Sequence, residues 1–125
     1  MASRFATKGK VVLVPFPFDD LTASKLRPAV CLTDPIGLHR HLVVAFISGQ
    51  MPGDLTPTDV VLDPRRGDFA ATGLRVASVL RLHRLVTLTT DLIQRELGEL
   101  SAAWRAETDD KLALLFGLNR SLSNA

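Results

Sequence analysis

Residues 11–28, VVLVPFPFDDLTASKLRP, decide how the rest of the chain is read. A valine-rich strand over residues 10–14 runs into Pro15 and Pro17. Neither can donate to a ladder, so the strand ends there or lies at a sheet edge. Residues 19–26 are small and polar and suit a mobile loop. That loop delivers one arginine, Arg27, onto a second apolar run, PAVCLT, over residues 28–33. A guanidinium is always charged, and its planar fork of donors matches a phosphate. Loops held between core strands are also where folds commonly carry their chemistry.

Working outward, Asp34-Pro35 and Gly37 mark a turn, and residues 40–48 form a third strand. Leu42 to Ile47 are apolar almost throughout, as in a strand covered on both faces. Gly49, Pro52 and Gly53 break the chain before a short strand over 59–62 and a polar segment over 63–73. Residues 76–82 and 85–88 read as two further strands joined by a short turn. Thr90-Asp91 caps a short helical turn, and residues 95–100 return to strand around Gly98. Ser101 is an N-cap for a helix over 102–116. Trp104, Thr108, Leu112 and Leu115 share one side of that helix, and Gly117 closes it. The expected architecture is mainly β, a compact barrel with one packed C-terminal helix. A loose N-terminus over 1–7 and a tail over 119–125 flank a single domain over 8–118.

The 125 residues, 46% hydrophobic and 22% charged, suit one globular core. No apolar run approaches the roughly 20 residues of a membrane span, and the first ten residues lack the apolar centre of a secretory signal. Cys31 is the single cysteine, so an internal disulfide is excluded and a cytoplasmic setting is expected. Residues 1–90 carry 11 Lys/Arg against 7 Asp/Glu, while residues 91–125 carry 4 against 6. Between Arg65 and Arg84 lie five arginines and one acid, Asp68. A mildly basic body of this kind holds a polyanion or an acidic peptide, or is an ordinary solvated surface.

The ordered pieces resemble the PemK/MazF-like toxins of bacterial type II toxin–antitoxin systems. Phe16-Pro17-Phe18, Asp19-Asp20-Leu21, Ser24-Lys25 and Arg27-Pro28-Ala29-Val30 follow the family's opening order. Phe46-Ile47-Ser48-Gly49-Gln50 is similar to its next strand end. Gly73-Leu74 with Ser78, Val79 and Arg81, then Leu85-Val86-Thr87-Leu88 and Leu97-Gly98-Glu99-Leu100, resemble its closing segments. The likeness spans residues 8–118. It implies an SH3-like barrel, a homodimer, an antitoxin partner that covers the site, and cleavage of single-stranded RNA with neither metal nor cofactor.

On that resemblance Arg27 is the catalytic arginine. Ser48 stands where the family has a threonine, keeping the hydroxyl and losing the methyl that restrains its rotamer. Asp20, Lys25 and Gln50 fall at matching loop positions; these three, with Arg65, Arg66 and Arg81, are the expected RNA contacts. RNA supplies its own nucleophile, the 2′-hydroxyl, so such an enzyme needs only to align the backbone and stabilise charge on the phosphate. The expected products are a 2′,3′-cyclic phosphate and a 5′-hydroxyl.

Each residue also has a plainer reading. Arg27 can be a surface ion-pair partner and Ser48 a hydroxyl capping a turn. Arg65 and Arg66 can be solvated turn residues. His83 is read as structural or exposed. Cys31 reads as buried and inert, and Trp104 as core or dimer packing. His39 and His41 share a side of an extended segment but lack the third ligand of a zinc site. The competing functions are a non-catalytic barrel that binds RNA or protein and, on the same resemblance, a toxin aimed at DNA gyrase.

Overall fold

The computed structural model describes residues 7–16 and 25–118. Among the described residues six strands form one antiparallel sheet: β1 (Lys10–Pro15), β2 (Leu26–Cys31), β3 (His41–Ser48), β4 (Asp59–Leu62), β5 (Ser78–Thr89) and β6 (Arg95–Glu99). Their order across the sheet is β4-β5-β3-β2-β1-β6. One helix, α1 (Ala102–Phe116), follows. The sheet curls into a half-barrel of the SH3-like kind, which bears out the fold expected from the resemblance.

β1 ends at Pro15 as the prolines require, yet it is not an edge, since it pairs with both β2 and β6. The Phe16 N–H bonds to the Lys25 carbonyl at 2.9 Å and brings the two arms of the hairpin together. β2 starts two residues earlier than the sequence suggests, so Arg27 is a strand residue opposite Val14. Pairing with β3 begins only at Ala29, so the missing N–H of Pro28 breaks no rung of that ladder. β3 starts at His41, because Arg40 has a positive φ of 56° that a strand cannot hold.

A larger difference concerns residues 78–89, which form one strand and not two. The break expected near residues 83–84 is a bulge. Ala45 pairs with Leu85 and Ile47 with Leu80, so five residues on β5 are crossed while β3 advances only two.

Alternation sorts the strands into two apolar clusters, as expected for β3 covered on both faces. Val11, Val30, Ala45, Ile47, Leu80 and Leu82 lie on one side with Trp104 of α1. Val12, Val14, Ala29, Cys31, Leu42, Val44, Phe46 and Leu88 lie on the other. Ser101 caps α1 by accepting the Trp104 N–H at 3.1 Å. Gly117 ends the helix at φ 71°, and the Leu118 N–H returns to the Ala113 carbonyl at 2.7 Å.

Closure of the curl rests on two glycines. The 3-10 turn Ala70–Thr72, between β4 and β5, packs on the far-edge strand β6. A side chain on Gly98 would put Cβ 2.1 Å from the Ala71 carbonyl oxygen, and one on Gly73 would put it 2.0 Å from that of Leu97. Only bare backbone lets these two segments approach.

Candidate active site

β1, β2 and β3 each send alternate residues to the second apolar face: Val12, Val14 and Phe16; Arg27, Ala29 and Cys31; Leu42, Val44, Phe46 and Ser48. At one end this series turns polar, and there a cleft of about 510 Å³ opens. It is lined by Phe16, Arg27, Phe46, Ile47, Ser48, Gly49, Gln50, Arg81 and Arg84. The cleft sits where β2 and β3 part: Arg27 lies below the first β2–β3 rung, while Ser48 pairs only with Val79 of β5.

Arg27 is half-buried, its guanidinium 5.1 Å from the centroid of the Phe16 ring. Phe16 in turn meets Phe46 edge-on, with centroids 4.9 Å apart and planes at 86°. This aromatic pair holds a cation against the wall of the cleft without cancelling its charge. The Ser48 hydroxyl donates to the Gln50 carbonyl at 3.0 Å and accepts the Gln50 N–H at 3.1 Å. The plainer reading of Ser48 as a turn cap is therefore met, and the same turn forms part of the cleft. A hydroxyl has one proton, so Ser48 can donate to a phosphate oxygen only after rotating off the Gln50 carbonyl.

Arg81 reaches the cleft already paired. Its Nε and Nη2 donate to the two carboxylate oxygens of Asp59 at 3.1 and 3.0 Å, between directly opposed positions on β5 and β4. Burial alone would raise the Asp59 carboxyl; the guanidinium and the Thr56 N–H, which donates at 2.8 Å, outweigh that and hold it below the usual 3.8. Lys111 of α1 donates to the Asp59 carbonyl at 2.7 Å and to Glu107 at 2.9 Å, which ties the helix to this edge.

Of the residues singled out in the sequence, the fold brings together Arg27, Ser48, Gln50 and Arg81. Lys25 is exposed and does not line the cleft. Asp20 lies outside the described residues. Arg65 and Arg66 are on the turn after β4, away from the cleft lining, each chelated by the acid two residues distant. Arg65 donates to Asp63 (2.9 Å) and Arg66 to Asp68 (2.8 Å). Arg66 also lies over the Trp104 ring at 4.2 Å, and Asp68 accepts from the capping Ser101 hydroxyl at 2.7 Å. Trp104 is wholly buried and is core, as expected.

Burial pushes the Cys31 thiol up to about 11, which keeps it protonated and unreactive at neutral pH. Among the described residues no cluster of three or more His, Cys, Asp and Glu side chains is arranged to hold a metal ion. His39, on the turn before β3, and His41, its first residue, are both exposed, with ring centroids 6.0 Å apart. Likewise, no helix of the described residues is long and apolar enough to cross a membrane.

The sequence reading missed Arg84 and gave no role to Phe16 and Phe46. Arg84 had a signal: apolar residues at 80, 82 and 85 are spaced two and then three apart, a break of alternation that marks the bulge.

A curled antiparallel barrel with a cationic cleft at the split between two strands is the class that fold and site define. The chain belongs to the PemK-like, MazF-like toxin family of type II toxin–antitoxin systems, whose model matches residues 7–116. Among solved structures it is similar to the Mycobacterium tuberculosis toxin MazF-mt6, with a TM-score of 0.67 at 22% identity, covering 88% of this chain and 98% of that one. It is also similar to MazF in a MazE–MazF complex from Deinococcus radiodurans, with a TM-score of 0.68 at 21% identity, covering 92% and 99%. An endoribonuclease in complex with its cognate antitoxin from a mycobacterial species gives 0.65 at 18% identity, covering 89% and 94%. A comparison with curated proteins finds no match.

Proposed function

We propose that this protein is the toxin of a type II toxin–antitoxin pair and an endoribonuclease that cuts single-stranded RNA in the cytoplasm without a metal. The observation that carries this reading is Arg27, backed by the Phe16–Phe46 pair, on the same sheet face as the Ser48 hydroxyl in one open cleft. In the reaction the 2′-oxygen attacks the phosphorus and the bond to the 5′-oxygen breaks. The 2′ proton is lost and the 5′-oxygen gains one, so a 2′,3′-cyclic phosphate and a 5′-hydroxyl form with no water consumed. Arg27 donates to the non-bridging oxygens as charge builds on them. It is always protonated and does not serve as the base. Ser48 shapes the Gly49–Gln50 wall and, once rotated, donates to the same phosphate.

Gln50 contacts RNA from that wall, and Lys25 and Asp20 are further RNA contacts on this reading. Arg81 contributes as a fixed, neutralised pair with Asp59. Arg65 and Arg66 are not carried into the site, because each is held by its own carboxylate on a turn that does not border the cleft. The antitoxin, an acidic segment, covers the cleft through the same arginines. A homodimer belongs to this reading; the exposed Leu114, Phe116 and Leu118 at the end of α1 are the apolar surface it would bury.

The test is cleavage of a long end-labelled single-stranded RNA in EDTA by the wild type and by Arg27→Ala. Discrete fragments with 5′-hydroxyl ends, absent with the variant, support the reading. Equal cutting by both proteins sinks it. A second reading, a barrel that binds RNA without turnover, is favoured by the engagement of the Ser48 hydroxyl with Gln50. Binding without cutting by the wild type would select it.

A further inference from the structure

We infer that Arg81, locked against Asp59, reads an uncharged nucleobase and not a phosphate, and that its outer edge selects a guanine beside the scissile phosphate. This deepens the ribonuclease reading and rests on it. Asp59 is then the positioning residue behind the contact.

The pairing geometry decides which donors are left. A guanidinium carries five N–H groups, one on Nε and two on each Nη. Nε and Nη2 each give one to the Asp59 carboxylate, at 3.1 and 3.0 Å, as two parallel bonds along one side of the fork. The opposite end keeps one N–H on Nη1 and one on Nη2, again parallel. Among the described residues Arg81 has no other hydrogen-bond or ion-pair partner. Its Nη1 is not a buried atom lacking a partner, so it meets solvent, and Arg81 lines the cleft.

The mount of that edge is rigid. The Asp59 side chain is 1% exposed, the Thr56 N–H donates to it at 2.8 Å, and Lys111 of α1 holds its carbonyl at 2.7 Å. Arg81 thus has little rotamer freedom left to lose when a ligand docks. Its position also suits the reaction. Ser48 pairs with Val79, and Arg81 follows two residues on, so both leave the same face of β5, about 7 Å apart along the strand. A phosphate at Ser48 therefore brings the base of an adjoining nucleotide towards Arg81.

Charge and shape then select the ligand. A pair without net charge gains little from a phosphodiester, whose attraction is chiefly coulombic. Two parallel N–H groups match two adjacent acceptors, and guanine offers them as O6 and N7. Adenine sets an N6 donor beside N7 and opposes one of the two bonds; cytosine presents a donor, and uracil a single acceptor.

The probes are short 2′-O-methylated oligouridine strands, which cannot be cut, each with one guanosine, inosine, 7-deazaguanosine or adenosine at its centre. Wild type should bind the guanosine strand about 5- to 100-fold more tightly than the adenosine strand. Inosine keeps O6 and N7 and should match guanosine, whereas 7-deazaguanosine lacks N7 and should forfeit most of the gain. Because the pair is neutral, the ratio should hold as salt is raised while every affinity falls. Asp59→Asn loosens the guanidinium and unmasks its charge, so the ratio should shrink several-fold with affinity at low salt kept or raised. A uniform fall in all four affinities would instead remove Asp59 from the contact. Arg81→Gln should abolish the guanine preference. Equal binding of the guanosine and adenosine strands, a 7-deazaguanosine strand held as well as guanosine, or a preference that survives in folded Arg81→Gln overturns the inference while wild-type cutting stands. The analogue series on wild type decides even where a variant does not fold. A wild type that neither cuts nor binds RNA at low salt removes the ribonuclease reading, and this inference with it.

Discussion

Arg65 and Arg66 on one side, and Arg27 and Arg84 on the other, are the same residue type in different settings, the first two on a turn and the second two lining the cleft. The first two sit on a tight turn with Asp63 and Asp68 two residues away, and both are chelated there. Arg66 also covers Trp104, beside the cap of α1. These arginines hold a turn against a helix start. In the cleft, Arg27 is backed by an aromatic ring. Arg81 stands between the two groups, lining the cleft but matched across the strands by Asp59. The run of five arginines between residues 65 and 84 looks like one basic surface in the sequence. The fold divides it: Arg81 and Arg84 line the cleft, while Arg65 and Arg66 hold the turn after β4.

The largest effect that would test this contrast is on catalysis. Arg27→Ala should lower kcat by about 10²–10³-fold, the loss of one transition-state donor, with the circular dichroism spectrum unchanged. Arg65→Ala should cut RNA at the wild-type rate; a matched loss would erase the distinction. Ser48→Thr comes next and should retain or increase cleavage, since it keeps the hydroxyl and narrows its rotamers.

Asp59→Asn breaks the pair that neutralises Arg81 and should reduce stability by roughly 1–3 kcal/mol at neutral pH, read by urea unfolding. The sign of its pH dependence follows from the depressed Asp59 carboxyl. Its stabilisation is complete above the ordinary carboxylate value and disappears as pH falls through the lower folded value. Wild type should therefore lose stability in acid more steeply than Asp59→Asn. Parallel curves would remove Asp59 from the account. Smallest, Arg66→Ala should cost on the order of 0.5–1 kcal/mol, the worth of an exposed cation over a ring, and leave cleavage intact.

Much of this was legible in the residues. The proline end of β1, the doubly covered β3, the Ser101 cap, the helix face of Trp104 and Thr108, and the Gly117 terminus all depend on local chemistry or short periods, and all stand in the structure. The strand over 78–89 was misjudged as two, because a bulge and a turn both interrupt alternation. Only the partner strand distinguishes them: β3 runs on unbroken beside the extra residues. Arg84 was missed for the same reason. The site was half legible: Arg27 and Ser48 stood out by motif, but their shared face follows from the joint register of β1, β2 and β3.

The sequence by itself determined most of the elements, the family likeness and the arginine on which the chemistry is proposed to turn. Those follow from interactions within a few residues and from ordered motifs. Tertiary structure alone decided which arginines line the cleft, and that Arg81 among them is matched by a carboxylate. That depends on cross-strand neighbours such as Asp59 and Arg81, 22 residues apart in the chain and opposite each other in the sheet. It also decided the closure of the curl, where Gly73 and Gly98 let distant backbones meet. Contacts of that kind are set by register and curvature, which no local window of residues contains.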